Sequence, residues 1–73
     1  MVNLYSLKDL ENIYNPIGCY LLVDGNVYQI KLEICKSHAE QIRREQSIDN
    51  TGSQYILELR GTSYYLCYKV LNI

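Results

Sequence analysis

The chain has no tryptophan and no phenylalanine, and only one proline, one histidine and four glycines among its 73 residues. Its aromatic surface therefore comes entirely from eight tyrosines, each with a hydroxyl that needs water or a partner when the ring is buried. Such side chains suit the boundary between core and surface. Cysteine is scarce and odd in number: Cys19, Cys35 and Cys67 share no repeated spacing, whereas a small secreted domain carries an even disulfide framework. All three read as reduced thiols. Seven basic side chains face eight acidic ones, with no run of one sign longer than Arg43-Arg44, which excludes a broad electrostatic footprint for nucleic acid or anionic lipid. No stretch approaches the ~18 apolar residues of a membrane span, and the opening residues lack a basic segment followed by an apolar run. The expectation is a cytoplasmic protein.

What is present is an ordinary globular composition, 48% apolar and 21% charged. Seventy-three residues make one domain near the lower size limit, burying only ~60% of its unfolded surface. Ser6 and Asp9 set up a variant capping box, and Leu7, Leu10 and Tyr14 follow at helical spacing, so a first helix is expected from Ser6 to about Tyr14. Pro16 and Gly18 end it. A first hairpin runs from Cys19 to Ile34, turning at Asp24-Gly25 or Gly25-Asn26. In either register Leu21 and Tyr28 share a face, and Tyr28, Ile30, Leu32 and Ile34 form a clean period of two. Ser37 and Glu40 read as a capping box for a second helix from His38 to about Ser47, with a poor apolar face of Ala39 and Ile42. The turn formers from Asp49 to Ser53 lead to a second hairpin, Gln54 to Leu71, turning at Gly61-Thr62 so that Leu57 faces Leu66.

The order αββαββ predicts an α+β two-layer sandwich: a four-stranded, mainly antiparallel sheet of order 1-2-4-3 with two helices on one face. The strands at 27–34 and 63–71 would be central and parallel to one another. Topologically this resembles a ferredoxin-like fold with its first strand moved to the end of the chain. Superposing Gly25 on Gly61 aligns Leu21 with Leu57 and Tyr28 with Tyr64, which suggests an αββ pseudo-repeat over 4–35 and 36–73 within the single domain, 1–73.

That arrangement turns Tyr20, Leu22, Val27, Ile56, Tyr65 and Cys67 away from the helices as one apolar patch of a few hundred square ångströms, a size at which interaction sites occur. These six are the expected partner or oligomer interface, with Lys36, Arg43 and Arg44 on the second helix as polar contacts. Catalysis has little to draw on: Cys35 and His38 are the only thiol and imidazole neighbours, and the capping position of His38 explains it as a surface residue. With Cys19 they would make an incomplete metal set. The glycines fall at turns rather than in a phosphate-cradling loop, so no cofactor is expected and the chain is read as not an enzyme. The expected function is a small protein-binding module acting by occlusion, with a homodimer as an alternative. In size, absence of catalytic apparatus and αββ build it resembles the small inhibitors that phages and mobile elements direct against host defence or repair proteins. Nucleic-acid binding through Lys36, Arg43, Arg44 and sheet tyrosines is the second reading.

Overall fold

The computed structural model describes residues 4–48 and 52–70. The turn expected at Asp49, Asn50 and Thr51, and the strand end expected at Leu71, lie outside those residues. The elements run β1 (Leu4–Tyr5), α1 (Leu7–Leu10), β2 (Tyr20–Val23), β3 (Asn26–Ile34), α2 (Lys36–Ile48), β4 (Gln54–Leu59) and β5 (Ser63–Lys69). They form a small α+β fold with one mixed five-stranded sheet of order β1-β2-β3-β5-β4. The four longer strands stand in the expected order. Two features differ: β1 adds a parallel edge to β2, and the central strands β3 and β5 are antiparallel. With β5 lying between them, β3 and β4 run the same way, which is what a helical crossover between them requires.

Local chemistry sets the ends of the helices. Asp9 N–H donates to Ser6 Oγ at 3.2 Å and Ser6 N–H to Asp9 Oδ2 at 3.3 Å, the reciprocal box the sequence suggested. The helix stops at Leu10 instead of Tyr14. The Glu11 carbonyl, which a continuing helix would offer to its own backbone, accepts from Arg60 Nη1 at 3.0 Å. Tyr14 is consequently 98% exposed instead of lining a helical face. At α2 the helix begins earlier than expected. Ala39 N–H donates to the Cys35 carbonyl at 3.0 Å, so Cys35 occupies the cap position and Ser37 lies within the first turn, with its hydroxyl 3.3 Å from Cys35 Sγ.

The first hairpin has the expected register, with Leu21 opposite Tyr28 and a two-residue turn at Asp24-Gly25 between Val23 and Asn26. Both turn residues take positive φ, 50° and 79°, the geometry that favours Asp-Gly in such hairpins. The second hairpin differs by one position. Leu59 pairs with Ser63, leaving Arg60, Gly61 and Thr62 as the loop, with Arg60 and Gly61 at φ 54° and 68°. Leu57 therefore faces Tyr65, and Leu66 faces Ile56. A one-residue slip moves every side chain of one strand to the other face. Against the first hairpin, Leu57 still matches Leu21 in the same core cluster, but Tyr64 and Tyr28 belong to different ones.

A second change of phase occurs within β3. Ile30 pairs with Cys67 but Leu32 pairs with Leu66, so Lys31 is the extra residue of a β-bulge. The even-numbered apolar residues of β3 are thereby divided between faces. Tyr28 and Ile30 join Leu10, Leu21, Leu57, Leu59, Tyr65 and Cys67 in one buried cluster. Ile34 joins Ala39, Ile42, Ile56, Tyr64 and Leu66 in the other. Because Ile56 and Leu57 are consecutive in a strand, the clusters lie on opposite faces, and so do the helices: α1 with the first, α2 with the second. One helix lies on each face of the sheet, and the two-layer ferredoxin-like arrangement with both helices on one face is not what this chain builds.

Candidate functional site

The six residues expected to share one open face separate into two groups. Ile56 is 5% exposed beneath α2, while Tyr65 at 5% and Cys67 at 0% lie in the cluster on the α1 side. The slipped hairpin register is the cause, and these three cannot form a docking surface. Tyr20, Leu22 and Val27 behave differently. Cross-strand partners share a face, so the register places them on the α2 side of the sheet. Along one row run Leu4, Tyr20, Gln29 and Tyr68; beside it lie Leu22 and Val27; beyond the bulge comes Leu32.

α2 does not reach these residues: it packs on β5, β4 and the Ile34 end of β3, and among the described residues nothing covers β1, β2 and the rest of β3 on this face. Leu4 is 45%, Leu22 46%, Leu32 43% and Tyr68 39% exposed, with Tyr20 and Val27 half-buried among them. Leu4, Leu32 and Tyr68 escaped the sequence reading because each depends on a register feature: the short parallel strand, the bulge and the three-residue loop. The continuous apolar run Tyr64-Tyr65-Leu66-Cys67 was the available signal, since such runs mark strands buried on both faces.

The basic trio lies elsewhere. Lys36, Arg43 and Arg44 are exposed on α2, and Lys36 and Arg43, seven residues apart, share one flank of the helix. A right-handed crossover from β3 through α2 to β4 turns this flank toward the β4 edge, away from Tyr20 and Leu22. The tyrosines and cations needed for a nucleic-acid platform are thus on different sides of α2. The remaining rings are largely committed to packing: Tyr28, Tyr64 and Tyr65 are buried, and Tyr28 meets Tyr55 at 5.4 Å between centroids.

The thiols differ sharply. Cys35 is exposed at the head of α2, and its pKa is lowered, chiefly by the Ser37 hydroxyl and then by the His38 backbone amide. Its nearest polar side-chain partner is Ser37 rather than His38. Cys67, fully buried, has its pKa pushed up to about 12 by desolvation. Among the described residues no three His, Cys, Asp or Glu side chains group as a metal ion requires, and no helix is long and apolar enough to cross a membrane. Comparison with protein-family profiles, curated proteins and solved structures returned no match for the chain.

Proposed function

We propose that this chain is a small, non-enzymatic protein-binding module that works by covering part of a partner's surface, in the manner of the compact inhibitors carried by phages and mobile elements. One observation carries the reading: the uncovered part of the α2 face groups Leu4, Tyr20, Leu22, Val27, Leu32 and Tyr68 on a rigid sheet. Their exposed portions amount to roughly 300 Å², worth ~7 kcal/mol at ~25 cal/mol per Å² before the costs of association are subtracted. Tyrosine and leucine on a paired sheet lose little conformational freedom on docking, which favours recognition over nonspecific adhesion. The separation of Lys36 and Arg43 from this surface weighs against nucleic acid.

The test uses Leu22→Asp. Leu22 is 46% exposed, so the variant is expected to keep its melting temperature and its circular-dichroism spectrum. Immobilised wild-type protein should retain a host protein that Leu22→Asp does not. Identical recovered sets from the two proteins, or salt-dependent retention of single-stranded nucleic acid by both, would overturn the proposal.

A further inference from the structure

The uncovered surface has dimensions that specify an occupant. Adjacent strands lie ~4.8 Å apart, so the axes of β1 and β4 are ~19 Å apart in a five-stranded sheet. Packed helices lie ~8–10 Å from one another. One face of this sheet thus accommodates two helices side by side, and α2 fills the position over β5 and β4. Among the described residues the position over β1, β2 and β3 up to Leu32 is empty. Along β3 it extends from Val27 to Leu32, ~17 Å, which matches about three turns of helix.

Its walls are chemically asymmetric. Ala39 and Ile42 point α2 at the sheet, so at about 100° per residue Lys36, Glu40 and Arg43 form one flank and His38, Gln41 and Glu45 the other. A right-handed crossover from β3 to β4 directs the first flank at β4, so the second borders the empty position. There Gln41 Nε2 donates to Glu45 Oε1 at 3.5 Å, giving a polar wall with one carboxylate. The floor is Leu22, Val27, Leu32, Tyr20 and Tyr68 with Gln29 between the two tyrosines, and none of these six side chains is acidic or basic. Among the described residues neither helix has a free apolar stripe to place there: α2 has already committed Ala39 and Ile42, and α1 is four residues long.

Resting on the binding role proposed above, we infer that this position seats an amphipathic α-helix of a partner protein, parallel or antiparallel to α2, with its apolar stripe on the sheet and basic residues toward Glu45. Recognition would follow the helix-in-groove mode, with anchors at i, i+3, i+4 and i+7.

Two displayed peptide libraries of equal length and composition test this, one patterned with apolar residues at helical spacing and the other with strict alternation. Both are selected on the folded protein and counter-selected on Leu22→Asp, with Leu32→Asp as a second variant at the same floor. The expected binders come from the helical library, lose at least tenfold affinity on either substitution, and carry Lys or Arg on one flank. Glu45→Gln should weaken them about threefold. Floor-dependent binders drawn from the alternating library would overturn the helical occupant while leaving the binding role intact. Concentration-dependent dimerisation abolished by Leu22→Asp would do the same by identifying a second copy as the occupant. If neither library yields floor-dependent binders and no dimer forms, both proposals fall together.

Discussion

Leu32 and Leu66 are cross-strand neighbours on one face of the sheet, yet one is 43% exposed and the other 6%. The same contrast holds across the face. Ile34, Ile56 and Tyr64 are covered by α2, whereas Leu22 and Tyr68 on its other side are not. Residue type is similar in the two halves, so coverage and not composition separates core from surface. The boundary follows the width of a single helix. An apolar side chain in the covered half stabilises the fold, while its counterpart in the open half lies exposed.

The largest expected effect breaks that contrast by placing the same charge in each half. Ile56→Asp puts a carboxylate into the apolar cluster of Ile34, Ala39, Ile42, Tyr64 and Leu66 beneath α2, and should cost more than ~4 kcal/mol, enough to leave so small a domain largely unfolded. Leu22→Asp exposes its carboxylate to water and should fall within about 0.5 kcal/mol of the wild type. Urea denaturation followed by circular dichroism measures both. Comparable destabilisation by the two would mean that the open half is covered after all.

A second test sharpens the contrast on the opposite face, where coverage comes from α1 and the chain that follows it. Cys67 lies fully buried there with its pKa raised to about 12, so the folded protein holds the thiol proton to higher pH than the unfolded chain does. Between the ordinary thiol value and about 12 the unfolded state binds fewer protons, and stability must fall as pH rises. The bound is ~4 kcal/mol if the whole rise to about 12 is realised. Below that window the contribution is complete. Cys67→Ala should flatten the alkaline decline at the expense of a lower plateau, because it also leaves a small cavity. An unchanged alkaline slope would show that Cys67 is not desolvated in the folded protein.

These contrasts also explain which parts of the architecture were legible in the residues. The first hairpin was readable because Asp24-Gly25 specifies a two-residue turn and Tyr28 and Ile30 keep phase with it. The order of the four longer strands followed from two hairpins and one helical crossover. The faces were not readable, for two local reasons. Arg60 adopts a left-handed conformation that sequence preference assigns to glycine or asparagine, which hid the three-residue loop. Lys31 sits unmarked in an uninterrupted period of two, so nothing in β3 announced the bulge. Each shifts phase by one residue and so changes which side chains are free. Of the interface expected from sequence, Tyr20, Leu22 and Val27 retain an open setting because they precede both irregularities.

Smaller effects should appear at the two turns. Gly25 and Gly61 have φ of +79° and +68° with nothing within 4 Å of an added Cβ, so alanine meets no neighbour and only the backbone conformation is penalised. Gly25→Ala and Gly61→Ala should each cost ~1 kcal/mol. Equal losses from chemical denaturation would show that the two turns are equally committed to their geometry despite their different loop lengths. A neutral Gly61→Ala would instead indicate that the second loop can relax to another register, which would undo the face assignment of Tyr65 and Leu66.

The smallest effect on stability belongs to Cys35, whose value lies in a rate. It is exposed, so ionising it should barely alter folding, but the lowered pKa raises its thiolate fraction near neutrality. Iodoacetamide should therefore modify Cys35 well before Cys67, which is both buried and shifted the opposite way. The two causes of the Cys35 shift are separable by substitution. Ser37→Ala removes the hydroxyl 3.3 Å from Sγ, the larger contribution, and should move the pH profile of alkylation upward. His38→Ala keeps the backbone amide that supplies the second contribution and should leave the profile nearly unchanged. If His38→Ala moved it as far as Ser37→Ala, the imidazole would be acting on the thiol, and the dyad set aside as a surface coincidence would return as a chemical unit.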